Sequence, residues 1–208
     1  MKNTQTPSGL ARRSWRERRS YPVAAAAFTP PPSELAQLRA GITTVTAEET
    51  RALAARLASL LPRDATLALH GDLGAGKTTF VQGLARGLGI DAPVTSPTFT
   101  IFTIHRNAPA PASASAPATT SASAPATTSA SAPAPASAAP APTLIHLDAY
   151  RLETDSQMES LMLEDFLLTP YVLAIEWPEK IAAWIPKDAW HFTLRITDTQ
   201  KHFVRLER

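Results

Sequence analysis

The chain has 208 residues, 44% of them hydrophobic, no cysteine and a formal net charge of +2. That length holds one domain with a real core but not two, and the absence of thiols excludes disulfides, thiol catalysis and Cys-based zinc sites. No apolar run approaches the ~18 residues of a membrane span and no signal pattern ends in a cleavage site, so a soluble, cytoplasmic protein with no membrane partner is expected.

The charge is unevenly spread. Residues 1–41 carry seven Lys and Arg against two acids, which leaves −3 on residues 42–208. The remainder therefore lacks a basic face to track a phosphate backbone, and strong direct binding of nucleic acid is not expected of it. Residues 1–41 contain an Arg cluster around Trp15 and then Pro30, Pro31 and Pro32, without sustained periodicity. They read as a disordered extension. A nucleic-acid arm, an organelle-targeting peptide, a start codon set too far upstream and a plain solvated tail are all compatible with it.

Order is expected from Ile42. Thr46, with Glu49 three residues later, forms a capping box for a helix that carries Leu53, Leu57, Leu60 and Leu61 at helical spacing. Ala65 to His70 is an apolar run that reads as a buried strand, and Gly71-Asp72-Leu73-Gly74-Ala75-Gly76-Lys77-Thr78 follows as a complete G-x-x-x-x-G-K-[ST] loop. Phe80, Leu84 and Leu88 then share a helical face up to a Gly87/Gly89 stop. Ser96-Pro97-Thr98 marks a stiff loop leading into a β-branched and aromatic strand that ends at His105-Arg106.

Residues 108–142 are almost entirely Ala, Pro, Ser and Thr, with an eight-residue repeat beginning at Ser113 and again at Ser121. Such a segment cannot bury a core, and as an insertion at a hairpin tip it costs only a logarithmic loop-closure entropy. Leu144 to Asp148 reads as a strand, Asp155 to Leu168 as a helix with Met158, Leu161, Met162 and Phe166 inward, and Tyr171 to Glu176 as another buried strand. His191–Ile196 and His202–Leu206 alternate and close the chain as a hairpin. The expected architecture is a single α/β domain over 42–208, a three-layer P-loop NTPase fold with a mixed parallel and antiparallel sheet.

Strand, glycine loop and helix in this order form a nucleoside-triphosphate site. The glycines allow consecutive N–H groups to face phosphates at a helix N-terminus. Lys77 then places a charge between the β- and γ-phosphates, and Thr78 offers a hydroxyl to Mg²⁺. The metal needs a carboxylate at a neighbouring strand end, where Asp148 and Glu176 both qualify; one would hold the ion while the other orients the attacking water. Ser96 and Thr98 sit where switch loops sense the γ-phosphate. Trp177 reads as a fixer of the Glu176 rotamer, a docking surface or a core residue, and His146 as a packed or hydrogen-bonded core histidine. Arg151 is the one arginine near a catalytic strand end. No N-K-x-D motif reads guanine, so ATP is preferred to GTP. A small-molecule kinase is the alternative, but residues 108–142, its candidate lid, carry no charge.

Four segments together resemble the TsaE family: His70 to Phe80, Ser96 to Phe99, His146 to Leu152 and Ile175 to Pro178. The resemblance implies an ATPase that supports threonylcarbamoyladenosine modification of tRNA together with a TsaB–TsaD pair, meeting tRNA only through that complex. It implies that Gly74, Ala75, Gly76, Lys77, Thr78 and Thr79 hold ATP, that Thr78 and Glu176 serve Mg²⁺ and that Asp148 belongs to the metal and hydrolysis site; the residue pattern itself adds Gly71, Ser96 and Thr98 to the nucleotide-binding set and makes Lys77, Asp148 and Glu176 the catalytic candidates, with Asp148 also a metal candidate. Thr46 would approach the nucleotide from its helix cap. The Arg-rich tail and the Ala/Pro repeat are extras to the family pattern.

Overall fold

The computed structural model describes residues 32–106, 141–197 and 199–208, so the Arg cluster and the greater part of the repeat lie outside the described residues. In chain order the elements are α1 (Pro32–Ala40), β1 (Ile42–Thr44), α2 (Ala47–Ala58), β2 (Ala65–His70), α3 (Lys77–Gly87), β3 (Phe102–His105) and β4 (Thr143–Asp148). They continue with α4 (Asp155–Ser160), the 3-10 turn η1 (Leu163–Phe166), β5 (Tyr171–Glu176), the 3-10 segment η2 (Pro178–Trp184), β6 (Trp190–Ile196) and β7 (His202–Leu206).

The seven strands form one sheet in the order β1-β7-β6-β2-β5-β4-β3. The β6–β2, β2–β5 and β5–β4 pairs are parallel, while the β1–β7, β7–β6 and β4–β3 pairs are antiparallel. Parallel strands buried on both faces should be continuously apolar, and all six residues of β4 and of β5 are buried. The pairing of His105 with Leu144 makes β3 and β4 neighbours, so the repeat connects two paired strands.

One sheet face is covered by α2 and α3, where Leu57, Phe80 and Leu84 meet Leu67, Leu69, Phe192 and Leu194. These two helices approach closely because α3 offers glycine to α2. A Cβ at Gly83 would run into the Arg51 carbonyl and lie 2.7 Å from that of Ala54, and one at Gly87 would collide with the Ala55 carbonyl. Gly87 is thus a packing residue inside the helix, not a stop; the chain turns at Gly89, where φ is +73°. The other face is covered over β4 and β5 by Met158, Leu163 and Ile181 from α4, η1 and η2. Beyond β2 this third layer ends, and Arg195 and Arg205 on β6 and β7 are exposed.

Two expectations are corrected. Residues 32–40 of the presumed disordered extension form α1, which lies against β7 with Leu38 buried and Leu35 packed on the core. The apolar pair is too short a period to announce a helix, and docking on the sheet supplies the stability instead. The helix expected to run to Leu168 stops at Ser160, because Met162 adopts a left-handed backbone (φ 45°) and hands the buried position to Leu163. Met162 is left 47% exposed.

Candidate nucleotide site

The carboxyl ends of β2, β4 and β5 meet at one end of the sheet. Asp148 and Glu176 are register partners across β4 and β5, and Leu69 pairs with Glu176 across β2 and β5, which brings both carboxylates beside the loop that leaves His70. That loop depends on glycine. Gly71 has φ +144° and a Cβ there would strike the Leu194 carbonyl, while Gly76, at φ +97°, is the left-handed cap from which α3 starts. Backbone N–H groups at such a helix start have no intrahelical acceptor and suit an anion.

Lys77, the first residue of α3, is only 5% exposed. Its Nζ donates to the carbonyls of Gly71 (2.5 Å) and Asp72 (2.9 Å) and stands 4.0 Å from the centre of the Trp177 ring. Burial pushes the ammonium below its ordinary pKa, against the opposing pull of Glu176, Asp148, Glu179 and Asp72. Trp177 reaches this position through a left-handed backbone (φ 57°) directly after β5, and its ring packs against Tyr150 at 5.1 Å.

Two hydroxyl–carboxylate pairs complete the site. Thr78 Oγ1 donates to Glu176 Oε1 at 2.8 Å, and the Nε2 of buried His146 reaches the same oxygen at 2.8 Å. Thr98 Oγ1 donates to Asp148 Oδ2 at 2.5 Å, while the Tyr150 N–H holds Oδ1 at 3.0 Å. Since the Thr98 proton is directed to Asp148, the 2.8 Å contact between Ser96 and Thr98 has Ser96 as its donor. The loop after α3 is thereby tied to the end of β4.

These groups surround a cleft of about 490 Å³, within the size range of small-ligand sites. Of the residues that the sequence singles out, Gly74, Gly76, Lys77, Thr78, Thr79, Ser96, Thr98, Asp148 and Glu176 line this cleft, and Leu73, Tyr150 and Trp177 line it with them. An aromatic residue directly after a strand-end carboxylate was the available signal for Trp177. Gly71 and Ala75 lie behind the lining. Thr46 does not line the cleft: it caps α2 by accepting from the Glu49 N–H, and Glu49 in turn accepts from Val45 N. The end of β1, two residues before Thr46, connects to the loop through His202, whose Nδ1 donates to the Ala75 carbonyl and whose own carbonyl accepts from Thr44. Arg151 is also outside the lining, with its guanidinium 5.6 Å from the centre of the exposed Phe99 ring.

Thr78, Glu176 and Asp148 are hard oxygen donors of the kind Mg²⁺ accepts, in the one or two carboxylates typical of phosphate sites. Because Thr78 directs its proton to Glu176, its lone pairs remain available on the cleft side.

The model of the family "Threonylcarbamoyl adenosine biosynthesis protein TsaE" matches residues 44–113 and 133–205, passing over the middle of the repeat. The chain belongs to the TsaE family. TsaE of Bacillus subtilis is 32% identical over 152 residues, covering 73% of this chain and 75% of that protein, and TsaE of Streptomyces coelicolor is 37% identical over 130 residues, covering 62% and 67%. The crystal structure of Bacillus subtilis YdiB superposes with a TM-score of 0.55 at 26% identity, over 80% of this chain and 82% of that one, in keeping with a P-loop NTPase fold. Membership of TsaE places the chain in the biosynthesis of threonylcarbamoyladenosine on tRNA.

Proposed function

We propose that this TsaE-family chain binds ATP with Mg²⁺ in the cleft and hydrolyses it, and that it does so in the cytoplasm as an accessory of a TsaB–TsaD pair, meeting tRNA only through that complex. The observation that carries the reading is the convergence of Lys77, Thr78, Glu176 and Asp148 around one glycine-built helix start. In this reading, Lys77 leaves the carbonyls of Gly71 and Asp72 for the β- and γ-phosphates, an exchange of neutral acceptors for anionic ones that strengthens its hydrogen bonds. The backbone of Gly74 to Thr79 binds phosphate oxygens. Thr78 and Glu176 hold the ion, which when bound neutralises charge on the transferring phosphoryl group.

Asp148 accepts the proton of the attacking water or fixes its direction, and Thr98 reports the γ-phosphate to it through their shared hydrogen bond. Arg151 is turned onto Phe99, so among the described residues Lys77 meets the developing charge without an arginine in the cleft lining. Turnover by the chain alone is therefore slow and rises when a partner adds to the site. Calorimetric titration of ATP into the full chain, with and without Mg²⁺, tests the binding half: Mg²⁺-enhanced binding is expected, and binding that is absent or indifferent to Mg²⁺ in wild type contradicts it.

A further inference from the structure

We propose that His146 is a positioning residue that fixes the direction in which Glu176 presents its carboxylate; the inference rests on the reading of Glu176 as a Mg²⁺ ligand given above. His146 lies in the middle of β4, fully buried between Ile145 and Leu147 along the strand, a place where an imidazole costs desolvation and an apolar side chain would not. Its neighbours explain why it faces the site. Residues 144, 146 and 148 share one face of β4, and the register pairs His146 with Ala174 and Asp148 with Glu176, so His146 stands on the α3 side of the sheet one step behind the two carboxylates.

The hydrogen bonding assigns its tautomer. Glu176 Oε1 is an acceptor, so Nε2 carries the proton of the 2.8 Å bond; Nδ1 is buried and has no partner, so the alternative tautomer would strand a donor. An unpaired buried N–H is the costlier arrangement. Oε1 thus receives two donors, His146 Nε2–H and the Thr78 hydroxyl, while among the described residues none donates to Oε2. The first donor is fixed in the core. The second, Thr78, also has to serve the ion, and can rotate to do so. His146 therefore keeps the carboxylate plane in place whatever Thr78 does, as the outer partners of metal ligands do.

Two measurements on the full chain test this. Nitrogen-resolved histidine spectra of the nucleotide-free protein should show one buried ring in the Nε2–H tautomer, lost in His146→Phe and displaced in Glu176→Gln. An Nδ1–H tautomer, or a ring indifferent to Glu176→Gln, overturns the proposal without reference to ATP. Titration of Mg²⁺ into the protein with ATP present should show that His146→Phe needs about 10- to 100-fold more Mg²⁺, with its Mg²⁺-free ATP affinity unchanged. His146→Gln, whose amide can place a donor near the same point, should recover most of the difference. A folded His146→Phe variant with the wild-type Mg²⁺ requirement also overturns it. Failure of wild type to show any Mg²⁺-dependent ATP binding would instead remove the functional reading, leaving the histidine spectra to decide the His146–Glu176 pair.

Discussion

Thr78 and Glu176, the first from the start of α3 and the second from the end of β5, share a 2.8 Å hydrogen bond that joins the glycine loop to the central sheet. Asp148 has no such bond to the loop and is tied instead to Thr98. The two carboxylates therefore stand in different company, Glu176 beside the hydroxyl suited to the metal and Asp148 beside the segment suited to sensing phosphate.

That difference separates two conservative variants. Glu176→Gln should raise the Mg²⁺ needed for half-maximal ATP hydrolysis by about 10-fold or more. Asp148→Asn should keep a requirement close to wild type while lowering turnover about 10²-fold, the scale of a lost general base. Mg²⁺ titration of the hydrolysis rate in both variants checks this, and an Mg²⁺ requirement that rises for Asp148→Asn alone reverses the two roles.

Lys77→Ala should weaken ATP binding at least ~10-fold, since hydrogen bonds to charged groups contribute about 1.5–3 kcal/mol. The fold should survive, because the removed ammonium is buried against an opposing desolvation cost and makes its two hydrogen bonds to loop carbonyls at the cleft. Thermal melting and ATP calorimetry on the same sample read both effects.

What is legible in the sequence depends on the range of the interactions involved. The glycine loop, the strand ends at Asp148 and Glu176 and the hairpin of β6 and β7 are legible, because each is written in a contiguous pattern of glycine, alternation or apolar run. Helix α1 is not, since the burial of Leu35 and Leu38 depends on packing that includes β7, more than 160 residues away in sequence. Met162 was placed inward because 3.6-residue periodicity cannot foresee a left-handed turn that shifts burial to Leu163. Trp177 lacked a decisive reading for the same reason: its place over Lys77 depends on a positive φ and on Tyr150 from another loop. The sequence marks His146 as a packed or hydrogen-bonded core residue, and its partner is the Glu176 carboxylate.

Gly83→Ala should destabilise the protein by about 1–3 kcal/mol through overpacking, because the new methyl meets the Arg51 carbonyl and Ala54. The gain of about 1 kcal/mol in helix propensity from replacing glycine acts in the opposite direction and is the smaller effect. Urea melts measure the net change; a stabilised variant would show that α2 and α3 do not touch at this point.

Deleting residues 108–142 and joining Asn107 to Thr143 through a short Gly-containing turn should leave ATP affinity unchanged. Shortening the loop by about three doublings lowers its closure cost by roughly 2 kcal/mol, so the melting temperature should rise slightly. Loss of folding or of ATP binding would show that the repeat contributes to the domain.

Acidification should destabilise the fold through one buried and one half-buried imidazole. Burial lowers the pKa of His105, with nearby His146 adding to the effect, and lowers that of His191, which also faces Arg208 and His70. The unfolded chain then binds more protons than the folded one, so stability rises with pH through the imidazole range and falls as pH drops below the ordinary histidine value. Urea melts at pH 7.5 and 5.5 should show this loss, and it should shrink in His105→Gln and in His191→Gln.

If the cleft around Lys77, Thr78, Glu176 and Asp148 is the ATPase site that we propose, completed by partner proteins, ATP hydrolysis by the purified full chain, alone and with a TsaB–TsaD pair, reads it out. Slow Mg²⁺-dependent turnover is expected of the chain alone and a large stimulation with the pair, with neither in Lys77→Ala. Absence of turnover under both conditions, or equal rates in wild type and Lys77→Ala, would contradict it.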